Sequence, residues 1–200
     1  MISASIKAPV TRVITPFCGW LLRRGVTANL LSAIGGLGAS VSAIVFFSRG
    51  SYLWGTGITI FFILFDLLDG TLARMSQSGG STWGALLDST LDRISDAAVL
   101  GSIAYFLMKS QDRLVPVLFV ALVAGGLVSY IKARAEGLGI TCNGGLAERT
   151  DRLIIIFLAT WLAGFGLSYI LAIGIWLLAL ASVYTVGERL LIVYRATSSA

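Results

Sequence analysis

The chain repeats one pattern almost from end to end: apolar runs at Thr27–Ser48, Tyr52–Arg74, Gly84–Met108, Leu114–Arg134, Leu153–Phe165 and Leu167–Tyr194. Most are long enough, as helices, to approach or span the ~30 Å hydrocarbon core of a bilayer. Inside a bilayer every backbone N–H and C=O must be satisfied by the chain itself, so only helices and closed barrels are available. A barrel strand alternates apolar and polar residues with period two; these runs are continuously apolar. The expectation is an all-α integral membrane protein with six transmembrane helices. Composition agrees, with 12% charged residues against about a quarter in soluble domains, and a mean hydropathy of +0.88. No linker divides residues 1–200, so one domain is expected, with a six-helix bundle over 27–195.

Residues 1–22 form a separate feature. Ile6, Val10, Val13, Ile14, Phe17 and Leu21 recur at helical spacing, with Lys7 and Arg12 elsewhere on the wheel. That pattern predicts an amphipathic helix lying in the membrane interface. Orientation follows from the basic residues. Lys7, Arg12, Arg23, Arg24, Arg74, Arg93, Lys132, Arg134, Arg149, Arg152, Arg189 and Arg195 fall on the side of the N-terminus, and only Arg49, Lys109 and Arg113 on the other, 12 against 3 of the 15. Both termini and the 74–84 and 135–152 loops are therefore expected in the cytoplasm.

Against this apolar background stands DLLDGTLARMSQSGGSTWGALLDSTLD, Asp66 to Asp92, with four carboxylates. Asp66 and Asp69 are i, i+3 near one end of the second run; Asp88 and Asp92 are i, i+4 near the start of the third. Each pair lies on one face of its helix, and a short polar loop makes the two helices antiparallel neighbours. Converging carboxylates make a hard-cation site suited to magnesium or manganese. An isolated charge at the bilayer centre costs ~2.5–3.5 kcal/mol on insertion scales, and divalent metal removes that cost along with the mutual repulsion. Two ions ~3.5–4 Å apart is the arrangement used in phosphoryl transfer. The plainer alternative is that Arg74 and Arg93 pair with the aspartates. With no histidine in the chain, Ser–His triads and His-ligated metals are excluded. Cys18 and Cys142 have no metal-type spacing. Around the aspartates, Gly70, Ala73 and Gly84 permit close approach, Arg74 offers a planar fork for phosphate, and Ser81 in SGGST offers a hydroxyl.

Asp66-xx-Asp69-Gly70-xx-Ala73-Arg74 followed by Gly84-xxx-Asp88-xxx-Asp92 resembles the signature of the CDP-alcohol phosphotransferase family. The resemblance implies a reaction in which an acceptor hydroxyl attacks the β-phosphorus of a CDP-linked lipid, CDP-diacylglycerol, and CMP departs. It implies Asp66, Asp69 and Asp88 as ligands of a first metal ion, Asp66, Asp88 and Asp92 as ligands of a second, and Asp92 as general base. Gly70 and Arg74 then contact the nucleotide, as do Asn29, Leu30, Leu31 and Ser32 of TANLLS. The family's six-helix layout matches the runs, and its members are homodimers.

A second basic group bears on the acceptor: Lys132 and Arg134 in SYIKARAE, Arg149 and Arg152 in ERTDRLII, and Arg195. Positive-inside bias alone accounts for such a group, and Glu136, Glu148 and Asp151 can neutralise part of it. DRISDAAV, SYIKARAE and ERTDRLII resemble the bacterial branch of the family whose acceptor is a D-myo-inositol phosphate. That resemblance implies a plasma-membrane enzyme with Lys132, Arg152 and Arg195, joined by Arg134 and Arg149, on the acceptor's phosphate. Glycerol 3-phosphate is the alternative acceptor, and cation or proton transport the alternative class. No nucleic-acid partner is expected.

Overall fold

The computed structural model describes residues 15–75 and 81–198. Among them every regular element is a helix. A first helix, α1, covers 15–23. It is followed by α2 (Ala28–Phe47), α3 (Tyr52–Ile63), α4 (Phe65–Met75), α5 (Thr82–Lys109), α6 (Val115–Gly137), α7 (Arg149–Gly164) and α8 (Ser168–Ser198). Four segments are long and apolar enough to cross a membrane: Ala28–Phe47, Tyr52–Met75, Val115–Gly137 and Ser168–Ser198. Of the six expected spans, α5 carries Asp88, Asp92, Arg93 and Asp96 in its first half. The fifth, α7, has 16 residues, about 24 Å at helical rise.

The second run, continuous in sequence, is interrupted at Leu64, between α3 and α4. The last helices also differ from the apolar pattern: α7 begins at Arg149, four residues before the run, and α8 continues to Ser198.

The chain forms two compact units, residues 1–45 with 57–99, and residues 46–56 with 100–200. In the first unit, Cys18 and Leu21 of α1 pack with Leu31 of α2 and Leu72 of α4, flanked by Val26, Phe65 and Leu68. Lipid supplies little hydrophobic drive between helices, so close backbones and polar contacts do the joining. Gly35 and Gly38 of α2 take Phe62 and Phe65 against them, and Ser42 shares a hydrogen bond with Thr59 at 2.8 Å. In the second unit α8 packs on α6 and α7, and Thr56 bonds Thr160 at 2.7 Å. Apolar side chains such as Val41, Val123, Ile173 and Leu180 remain exposed, as a lipid-facing surface requires.

The segment between α6 and α7 is held by the second unit's buried arginines. Arg189, 2% exposed, donates from Nη1 to the Val128 carbonyl at 2.6 Å and from Nε to the Gly144 carbonyl at 3.1 Å; its Nη2 lies 3.8 Å from Glu148. Thr185 accepts from the Ala147 N–H at 3.1 Å. Gly145, at φ +113°, sits where a Cβ would collide with Thr185, so no other residue fits both its backbone and its space. Arg189→Met removes two charge-assisted bonds to buried carbonyls. It is expected to lower stability by about 1.5–3 kcal/mol, read as a lower Tm of the purified protein in detergent.

Candidate active site

All four motif aspartates lie in the first unit, Asp66 and Asp69 on α4 and Asp88 and Asp92 on α5. Asp69 is 6% exposed, and a buried carboxylate requires partners. Ser32, also buried, donates its hydroxyl to Asp69 Oδ2 and lies within 3.2 Å of the Ala28 carbonyl. The family resemblance implied a nucleotide contact for Ser32; in the structure its hydroxyl orients a carboxylate. Asp88 is half-buried. Asp92 is half-buried too, with Arg93 Nη2 at 3.7 Å from its Oδ2.

Arg93 reaches Asp96 as well, at 3.8 Å, so the plainer pairing of Arg93 with Asp92 is present in part. Asp96 continues the Asp88, Asp92 spacing by one more turn, a signal readable in the sequence but not used there. The side chain of Asp66 lies outside the described residues, and among the described residues no three acidic or thiol groups close into one metal-sized cluster. The donor set is nonetheless entirely carboxylate, the chemistry that suits a hard divalent cation.

The start of α2 meets the start of α5. Thr27 caps α2 by accepting from the Leu30 N–H at 3.3 Å. Asn29 Oδ1 lies 2.6 Å from where a Cβ on Gly84 would stand, and Ser81 Oγ 3.0 Å from the same point. Ser81 caps α5 by accepting from the Gly84 N–H at 2.9 Å. Asn29, Ser81 and Gly84 thus come together in a cluster of small polar groups. Leu30 faces outward and Leu31 lies in the core, so within TANLLS the polar contacts come from Asn29 and Ser32. Arg74 is exposed on the last turn of α4. Its Nη2 donates to Thr71 at 3.2 Å, and its Nη1 lies 3.8 Å from the Cβ position of Gly70.

The basic residues assigned to the acceptor all belong to the second unit. Lys132 is half-buried and Arg134 exposed on α6; Arg149 is half-buried on α7. Arg152 is 6% exposed and donates from Nη1 to the Ala147 carbonyl at 3.0 Å. Arg195 is exposed near the end of α8. The buried cation of α8 is Arg189, which sequence reasoning counted only toward orientation. Its signal was the helical stripe Leu178, Ser182, Thr185, Arg189, all buried, which excludes Arg195 by register.

Residues 25–187 match the family model for CDP-alcohol phosphatidyltransferase. The chain is 39% identical over 210 residues to a phosphatidylinositol phosphate synthase of Streptomyces avermitilis, covering all of this chain and 85% of that one. It is 40% identical over 188 residues to one of Corynebacterium glutamicum, covering 92% of this chain and 85% of that one. The fold is similar to the crystal structure of Mycobacterium tuberculosis phosphatidylinositol phosphate synthase with CDP-DAG bound: the TM-score is 0.87 at 39% identity, covering 92% of this chain and 94% of that one. The same Mycobacterium tuberculosis enzyme in complex with manganese and citrate gives a TM-score of 0.84 at 39% identity, covering 90% of this chain and 88% of that one. With the signature aspartates in place on α4 and α5 and the match running through both units, the chain belongs to the CDP-alcohol phosphatidyltransferase family.

Proposed function

We propose that this enzyme transfers the phosphatidyl group of CDP-diacylglycerol to a hydroxyl of D-myo-inositol phosphate and releases CMP. The observation that carries the reading is the identity of about 40%, over nearly the whole chain, to relatives named phosphatidylinositol phosphate synthase. The acceptor oxygen forms a bond to the β-phosphorus, the bond to CMP breaks, and the hydroxyl proton passes to Asp92. Ser32 holds Asp69, and Arg93 keeps a cation beside Asp92. Asn29, Ser81, Gly70 and Arg74, with Leu30, Leu31 and Ser32, form the CDP-diacylglycerol subsite.

The carboxylate set of α4 and α5 suits two divalent ions, magnesium or manganese, with Asp66, Asp69 and Asp88 assigned to one and Asp66, Asp88 and Asp92 to the other. When bound, such ions neutralise charge developing on the departing CMP. A structure of the Mycobacterium tuberculosis relative in complex with manganese and citrate supports the use of a divalent cation. Ser32→Ala removes a hydrogen bond to a ligand and is expected to raise the metal concentration for half-maximal CMP release by about 10-fold, measured by titration with Mn²⁺ or Mg²⁺.

Lys132, Arg134, Arg149, Arg152 and Arg195 are assigned to the acceptor's phosphate. Lys132→Gln is expected to raise the KM for inositol phosphate well above that of the wild type while leaving the KM for CDP-diacylglycerol within about twofold, as loss of uniform acceptor binding predicts. The deciding experiment measures CMP release by purified protein with inositol 1-phosphate, glycerol 3-phosphate, serine or free inositol. Release with inositol 1-phosphate alone supports the reading. Preference for glycerol 3-phosphate replaces the acceptor, and ion flux without CMP release replaces the enzyme.

Residues 1–200 act as one domain with six transmembrane helices in a bacterial plasma membrane, as a homodimer, with both termini and the active site on the cytoplasmic face. α1 lies in the interface: Phe17 and Trp20 stack at 5.9 Å on its exposed side, Arg24 sits 4.9 Å over the Trp20 ring, and Cys18 and Leu21 face the core. Ile6, Lys7, Val10, Arg12, Val13 and Ile14 lie outside the described residues.

A further inference from the structure

Two adjacent glycines of α2 touch the two carboxylate helices next to the aspartates themselves. A Cβ on Gly35 would stand 2.9 Å from Phe65 Cβ and 3.0 Å from the Phe62 carbonyl oxygen. A Cβ on Gly36 would stand 2.7 Å from Leu91 Cβ and 3.3 Å from Leu91 Cγ. Phe65 immediately precedes Asp66, and Leu91 immediately precedes Asp92. The nearest blocking atoms are the Cβ of Phe65 in α4 and the Cβ of Leu91 in α5, with the Phe62 carbonyl oxygen at the end of α3, and these move only with their helices. Adjacent residues on a helix point ~100° apart, so one glycine admits α4 and the next admits α5.

The same helix meets both partners again in the preceding turns. Ser32 donates to Asp69 of α4, and Asn29 approaches Gly84 of α5. Thus α2 contacts α4 and α5 at successive turns, each time within a turn of an aspartate. A divalent site built from two helices tolerates an error of about 0.5 Å in their placement, and magnesium is the stricter ion because it demands near-ideal octahedral geometry.

We propose that Gly35 and Gly36 are positioning residues that set the separation of α4 and α5, and through it the metal affinity of the aspartates. The proposal rests on the reading of those aspartates as metal ligands. It assigns no ligand contact to the glycines; they act by lacking a Cβ where Phe65 and Leu91 pass.

The test measures Mn²⁺ binding to the full-length purified protein, without substrate, by the electron paramagnetic resonance signal of free Mn²⁺. Wild type and Asp88→Asn come first: binding lost in Asp88→Asn upholds the metal reading, and binding it leaves intact overturns that reading and the proposal with it. Gly36→Ala is then expected to weaken Mn²⁺ binding by about 10-fold or more, and Gly36→Ala with Leu91→Ala to recover most of it. Leu91→Phe adds bulk at the same contact from the other side and is expected to reproduce the loss, which keeps the test open if Gly36→Ala does not accumulate. Gly38→Ala, whose Cβ meets only the Phe62 ring, is expected to lower Tm while leaving Mn²⁺ affinity in place. Wild-type affinity in both Gly36→Ala and Leu91→Phe overturns the proposal. An equal loss in Gly38→Ala, unrelieved by Leu91→Ala in the Gly36→Ala protein, also overturns it, because general packing damage then accounts for the effect.

Discussion

Asp92→Asn is expected to abolish turnover while CDP-diacylglycerol still binds. The substitution keeps the shape of the side chain and removes only its capacity to hold a proton and a full charge. Loss of a positioned general base costs about 10²–10⁴ in rate, and a share in a metal ion adds to that. No histidine exists to substitute for it. Asp96 is one turn further along α5 and shares Arg93 with Asp92, so residual activity, if any, is expected from this carboxylate, which is not assigned to a metal ion. The measurement pairs the rate of CMP release with binding of labelled CDP-diacylglycerol. A variant that still turns over at near the wild-type rate would contradict the assignment.

Removing divalent metal is expected to stop the reaction completely, and adding back Mn²⁺ or Mg²⁺ to restore it. Four carboxylates within 27 residues of a largely apolar chain repel one another and are costly to bury. The cations visible around them are Arg93, spread between Asp92 and Asp96, and Arg74, which is exposed and bonded to Thr71. Neither replaces a dication shared by several oxygens. The departing CMP carries charge, which a bound dication would offset. Full CMP release in excess chelator would remove metal from the account.

Much of this was legible in the sequence because one physical rule dominated it. A backbone in hydrocarbon must be helical, so the runs ending in α2, α6 and α8 were read to within a few residues. The break at Leu64 was not readable: the run across it is uniformly apolar, and what distinguishes it is the packing of Phe62 and Phe65 against Gly35 and Gly38, a tertiary fact. The aspartate pairs were legible from their i, i+3 and i, i+4 spacing, since helical geometry puts each pair on one face. Ser32 as the partner of Asp69 was not, because 37 residues separate them.

The burial of Arg189 was missed for a different reason. Positive-inside bias already accounts for a basic residue near a helix end, so its burial against Val128 and Gly144 needed the stripe through Ser182 and Thr185 to be noticed. The glycines of α2 carry no distinct signal in the sequence; only their opposite neighbours, Phe65 and Leu91, give them separate meanings.

The central claim is that the carboxylates of α4 and α5 jointly hold divalent cations. Anomalous X-ray scattering at the manganese edge, from crystals grown with MnCl₂ and CDP-diacylglycerol, reads it directly. The account predicts anomalous peaks enclosed by Asp66, Asp69, Asp88 and Asp92. Manganese bound elsewhere, with those four side chains turned away from any ion, would contradict it.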